Sequence, residues 1–369
     1  MGFPTPLTYK VKQAALWLAR PYALFFALPW LMAILILGTL AQKDIGLYEA
    51  QARYFSSFIL WLGPLPLPGS YPTLGVIFIS LLAKFLLASP WSRAQAGTIL
   101  THLGILLLLF GGLITGMTAR EYFIVIPEGG RSALMSSYHD RVLAVERDDG
   151  TVIAAYPFAD LTRGATFLPM EDVTITIDKT CRHCTAQIPA DDRGRIGMAE
   201  KMDLIDTDPQ PEDEMNLSGV TFTIATPDEK LSGTYITLED VPIRPTFGDI
   251  IIYVRRAQET LPFSIALKDF AEERHPGTAT ARAFHSDVIV EDGGVNWPAR
   301  IEMNEPLRYK GYTFYQSSFT RGMDGTESTV LSAVQNAGRI FPYVASAVIF
   351  AGLLLHLILR LRRNAKDVE

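Results

Sequence analysis

Two histidines lie in otherwise oily surroundings: His102 in a leucine-rich run, and His356 about four residues before Arg360. A titratable imidazole in an apolar stretch of membrane-spanning length is costly, so it counts as a functional candidate. Neutral imidazole is a good ligand for haem iron, and apolar walls suit a porphyrin. The competing reading is an interhelical hydrogen bond, a weak interaction in membranes. For His102, haem ligation is the preferred reading. For His356, packing is preferred, because a ring so near Arg360 can reach headgroup water.

Cys181-Arg182-His183-Cys184 is the other reactive constellation. Covalent haem attachment uses C-x-x-C-H, and residue 185 is threonine, so this is not a c-type haem site. A thioredoxin-like motif needs a βαβ setting, whereas the flanking sequence reads as strands. On the outer side of a membrane the pair could form a local disulfide or serve as a metal or exchange site. A structural pair is preferred. His139, His183, His275 and His285 share no spacing, and the chain contains no serine–histidine nucleophile pattern, phosphate loop or HExxH.

The elements that carry the two buried histidines are apolar runs. A bilayer core of about 30 Å needs about 20 apolar helical residues. Tyr22–Ala41, Thr73–Ser89, Gly97–Met117 and Ile340–Leu359 reach or approach that length. Lys10, Lys12 and Arg20 precede the first run, Lys84 and Arg93 flank the second turn, and Arg360, Arg362, Arg363 and Lys366 follow the last. Basic residues mark the cytoplasmic side, and four crossings put all three groups there. Both termini (1–21 and 360–369) are then cytoplasmic, with 42–72 and 118–339 outside. The first run is too long for a typical signal-peptide core and has only a weak cleavage site, so it is expected to be retained. His102 falls about 7 Å deep at 1.5 Å per residue, and His356 reaches a similar depth from the opposite direction. The formal charge of −6 argues against nucleic acid as a partner.

Tyr54–Gly63, followed by a proline-rich turn, is expected to be an interfacial helix. Beyond Met117 the pattern becomes alternation. Arg141–Phe158 reads as a hairpin turned by Asp149-Gly150, and Phe284–Met303 as a second one turned by Gly293-Gly294. Val173–Ile177, Val220–Ala225, Thr234–Leu238 and Asp249–Arg255 are further strands, and Tyr312–Phe319 is expected to be the last before the fourth run. The fold class is therefore an integral membrane α-helical bundle of four transmembrane helices, three plus one. To it is joined a large extracytoplasmic all-β domain, a sandwich or an open barrel. Residues 186–216, rich in Asp and Glu and including Asp192, Asp213 and Glu214, are expected to form a flexible acidic insertion.

Met303–Phe319 (MNEPLRYKGYTFYQSSF) resembles the signature of the ResB family, the membrane proteins of System II cytochrome c maturation. Leu261–Phe270, His275-Pro276-Gly277-Thr278, Phe284–Val288, Gly38-Thr39, Gln42 and Thr101-His102-Leu103-Gly104 follow the same family's pattern in order. The resemblance implies that His102 is a haem axial ligand within the membrane. It also implies a partner of ResC/CcsA type bearing a tryptophan-rich WWD segment, and an apocytochrome c as the receiver. A thioredoxin-like thiol reductant is expected as a further partner. The tryptophans here (Trp17, Trp30, Trp61, Trp91, Trp297) are scattered and form no such segment. Asn304, Pro306, Gly311, Tyr312, Tyr315 and Gln316 carry the signature and are read as an interface or structural seam. The implied location is the bacterial cytoplasmic membrane. The rival readings are a self-contained b-type electron carrier using His102 and His356, and a haem-free scaffold.

Overall fold

The computed structural model describes Gln13 and residues 17–191, 193–212, 215–241, 244–275, 277, 281–322 and 325–366. Lys10, Lys12, Asp192, Asp213, Glu214, Pro276 and Thr278 lie outside the described residues. The chain divides into two compact units, one made of the two ends (1–119 and 336–369) and one of residues 120–335.

The first unit holds helices α1 (Tyr22–Ala50), α2 (Ser70–Ala83), α3 (Ala96–Thr118) and α4 (Phe341–Lys366). Among the described residues, four stretches are long and apolar enough to cross a bilayer, counted with their flanking turns: Tyr22–Phe55, Ser70–Ala88, Arg93–Thr118 and Phe341–Asn364. The first exceeds its expected length because the helical path breaks at Gly46, where φ is 77°. A residue with a side chain resists that conformation. Beyond the break Phe55 packs back on Gly38, where an added Cβ would come within 2.6 Å of the ring.

Tyr54–Gly63 is not the expected helix. Gln51–Phe55 closes the helical path, and Ile59–Leu62 (β1) pairs with Leu65–Pro68 (β2) as a hairpin. Prolines at 64, 66 and 68 forbid a helix, and Gly63, with φ at 60°, makes the turn. The hairpin is tied to α1 by Trp30, whose Nε1 donates to the Pro68 carbonyl at 2.8 Å.

The second unit is all β. In chain order the strands are β3 (Arg120–Pro127), β4 (Arg131–Arg147), β5 (Val152–Pro157), β6 (Thr166–Met170), β7 (Val173–Cys181), β8 (Cys184–Gln187) and β9 (Asp203–Asp206). β10 (Gly219–Ala225), β11 (Gly233–Leu238), β12 (Thr246–Phe247), β13 (Ile250–Arg274), β14 (Ala281–Asp292) and β15 (Val295–Glu302) follow. The last are β16 (Leu307–Tyr309), β17 (Tyr312–Arg321) and β18 (Glu327–Gln335). Both expected hairpins form, turned at Gly150 (φ 84°) and at Gly293-Gly294 (φ 56° and 89°).

A large sheet runs β15-β14-β13-β4-β3-β18-β17-β16, with β5 on β4 and β12 on β13; a smaller one runs β11-β10-β7-β6. The long β4 and β13 belong to two cores. Met135 and Ile265 pack with Ile124, Val290, Phe314 and Leu331 in one. Leu143 and Ile252 pack with Ile175, Ile177, Val220 and Phe222 in the other. Register shifts at Arg256/Gln258 and Thr260/Ile265 mark where the paired strands change course between the cores, as bulges do. The unit thus combines a curled sheet with a sandwich-like second layer.

One expectation fails here. Tyr312–Phe319 is not the last strand, because β18 follows and pairs with both β17 and β3. Two of its fully or nearly fully covered positions are Thr329 and Ala333, which give little apolar alternation to read. The described part of the acidic segment carries some regular structure. β9 pairs with β8, and Ala199 and Leu204 are buried with Cys181 and Ile236. Arg195 ties it together through the carbonyls of Ala199 and Met202 and the carboxylate of Asp203.

Candidate functional site

α3 and α4 pack along glycines. A Cβ added at Gly97 would lie 2.4 Å from the His356 backbone nitrogen, and one at Gly352 would lie 2.6 Å from Thr101 N. Gly104 meets Ile349 and Ala345 in the same way, and Gly111 meets Phe341. The small residues around the Thr101–Gly104 motif therefore serve helix contact. Gly112 differs, because a Cβ there meets nothing within 4 Å.

His102 is half-buried on α3. Its Nδ1 is buried and makes no hydrogen bond among the described residues. His356 is exposed, and its Nδ1 lies 3.2 Å from the Thr98 hydroxyl. Thr98 is one helical turn before His102, so the two lie on one face of α3. The structure thus brings His356 to the face of α3 that carries His102. It gives His356 Nδ1 a local polar partner, whereas His102 Nδ1 has none among the described residues.

The signature segment builds a second constellation. Tyr309 and Tyr312 pair across a two-residue turn in which Lys310 and Gly311 have φ of 45° and 86°, the type I′ geometry favoured in hairpins. Asn304 also has positive φ, at 70°, in the preceding turn, and Pro306 follows it half-buried. Tyr312 is in the core. Gln316 accepts from the Ser286 hydroxyl at 2.7 Å and donates to the Thr329 hydroxyl at 3.0 Å, and both hydroxyls are fully buried. Tyr315 is 43% exposed. The motif residues other than Tyr315 therefore set turns or fill the curled sheet.

That sheet brings its two ends together. Asp292, before the Gly293-Gly294 turn, accepts from the Tyr309 hydroxyl at 2.5 Å and pairs with Lys310 at 2.5 Å. Trp297 meets Tyr309 edge-on at 4.7 Å. The Lys310 ammonium, then the Tyr309 hydroxyl, hold the Asp292 carboxyl below the usual carboxylate range.

Cys181 and Cys184 are joined as a disulfide with Cα atoms 5.5 Å apart. The loop between them is pinned by Ser218, which donates to the Arg182 carbonyl, and by the Thr207 amide on His183. Sequence spacing missed one grouping: a donor atom from each of Asp269, His285 and Asp287 lies within 4.8 Å of the others. Antiparallel pairing sets Asp269 opposite Asp287, a partnership that no local pattern announces. Arg300 grips both oxygens of Asp287 at 2.7 Å and holds its carboxyl below the usual range.

Compared with known proteins, residues 246–337 match the ResB-like family. These residues form a ResB-like segment, about a quarter of the chain. The matched segment runs from β12 through β18 and contains both the signature turn and its Asp292 partner. Protein NrfI of Wolinella succinogenes is 36% identical over 100 residues, which is 27% of this chain and 11% of NrfI. The matched stretch thus spans about a tenth of that relative's length.

Proposed function

We propose that this chain is a membrane subunit of a System II cytochrome c synthase. It crosses the bilayer four times with both termini in the cytoplasm, and residues 120–335 form its outer domain. Haem is its cargo. The ResB-like segment supports a role in cytochrome c biogenesis, and His102 supports haem handling.

One observation carries the haem assignment: an imidazole on an apolar helix whose buried Nδ1 has no hydrogen-bond partner among the described residues. Leaving a buried polar atom unsatisfied costs roughly 1–3 kcal/mol, a cost that makes sense where the ring is reserved for a ligand. His102 then holds the haem iron together with a histidine of a ResC/CcsA-type partner. Covalent attachment to the C-x-x-C-H thiols of apocytochrome c is assigned to the partner, with a thioredoxin-like reductant keeping those thiols reduced. This chain's own residues hold and orient.

The test is the absorption spectrum of the copurified complex with and without His102→Ala. Loss of the Soret band is expected; unchanged pigment together with unchanged c-type cytochrome would overturn the assignment. The second reading, a b-type electron carrier, draws on His356 lying against the turn of α3 that precedes His102. It requires haem that depends on both histidines in protein purified without any partner.

A further inference from the structure

The geometry points to a carboxylate-binding site built on Arg244, suited to grip an acidic side chain of a docking protein. It lies in the outer unit and does not rest on the haem reading.

Arg244 borders a cavity of about 230 Å³ whose wall also holds Tyr253, Arg255, Arg256, Glu239 and Asp240. Its guanidinium carbon stands 3.9 Å from the centre of the Tyr253 ring. That ring is itself fixed, because the Tyr253 hydroxyl donates to Glu146 at 2.7 Å and Glu146 takes Arg255 Nε at 2.8 Å. A planar guanidinium laid on an aromatic face is pre-organised, with its donors left for a partner.

The other guanidiniums here are already engaged. Glu239, almost fully buried, is shared by Arg141 at 3.0 Å and Arg256 at 3.5 Å. Arg256 also donates to the Tyr138 carbonyl at 2.8 Å. Arg244 alone among these four guanidiniums has neither a hydrogen bond nor an ion pair among the described residues. With Glu146, Glu239 and Asp240, the cluster sets three carboxylates against four guanidiniums. Asp240, on the rim, holds a non-glycine φ of 60°, a strained conformation of the kind that gathers at ligand clamps.

Size selects the ligand. Pockets for drug-sized molecules run roughly 300–1,000 Å³, and this smaller, partly open one suits a side-chain carboxylate. Arginine recognises that group through two parallel N–H···O bonds. A protein carboxylate is favoured over a free small acid because the site opens on a domain surface beside a ResB-like segment, with Tyr253, Arg255 and Arg256 inside the matched range.

The experiment uses the full chain in detergent micelles and a fluorescein-labelled decapeptide with two adjacent glutamates, followed by anisotropy. The expected result is saturable binding that weakens at least about tenfold, the worth of one charge-assisted pair, in Arg244→Gln. Arg131→Gln, at an exposed arginine elsewhere in the unit, should bind as wild type does. Circular dichroism confirms that the folds are unchanged. Equal binding of the same peptide with glutamines overturns the proposal, as does an Arg244→Gln protein that binds like wild type. Binding of glutarate without binding of the peptide overturns the choice of a protein partner.

Discussion

Gly104 of α3 touches Ile349 of α4 so closely that an added Cβ would stand 2.5 Å from Ile349 Cγ1 and 2.9 Å from its backbone nitrogen. No rotamer of Ile349 relieves the second contact, because backbone is involved. Gly104→Val should therefore force the helices apart and destabilise the bundle by about 1–3 kcal/mol or more, the range for overpacking. Gly112→Val, on the same helix where a Cβ meets nothing within 4 Å, should be tolerated. Thermal unfolding of the two variants in detergent reads the difference, and equal midpoints would refute this account of the packing.

The parts of the fold that were legible are those specified locally. Asp149-Gly150 and Gly293-Gly294 announce their hairpins because a two-residue turn needs residues that tolerate positive φ. The long apolar runs announce the helices. What stayed hidden depends on distant residues. Thr329 and Ala333 give β18 too little apolar contrast to show. Ala199 and Leu204 anchor a segment whose many carboxylates suggest disorder. Of the candidate site, His102 was visible because a histidine among leucines is costly at any register. Arg244 was not, because it lies in a loop and its meaning comes from Tyr253 on β13, whose ring is fixed beneath it.

The two apolar-helix histidines should separate experimentally. The Thr98 hydroxyl lies 3.2 Å from His356 Nδ1, a local bond that explains His356 without a ligand. His102 has no such explanation. His102→Ala is expected to abolish the haem absorbance of the complex, while His356→Ala and Thr98→Val leave it nearly intact. Equal loss from both histidines would favour the electron-carrier reading instead.

Gln316 and Tyr315 are neighbours on β17 that face opposite sides of the sheet. Gln316 closes a knot with the buried hydroxyls of Ser286 and Thr329, so Gln316→Leu strips them of an acceptor and a donor. The expected cost is about 1–3 kcal/mol. Tyr315→Ala, at an exposed position, should stay within about 0.5 kcal/mol of wild type. Urea unfolding followed by the β-sheet circular dichroism signal discriminates. A reversed order would mean that the signature segment serves docking more than folding.

Asp292 supplies a pH test of how the curled sheet is held closed. Lys310 and Tyr309 stabilise its ionised form, so its carboxyl titrates below the ordinary range in the folded chain. A group with a depressed folded pKa contributes stability above its unfolded value, near 3.9. That contribution is lost as pH falls through the folded value. The Lys310 ammonium, raised by the same pair, stays charged throughout this window. Wild type should therefore exceed Asp292→Asn in thermal midpoint at pH 7. The gap should narrow from about pH 5 downward and close in strong acid. Because the pair is partly solvent-exposed, added salt should shrink the gap at pH 7 as well. A gap that persists unchanged at low pH would show that Asp292 acts through shape or through its hydrogen bond to Tyr309, independent of charge.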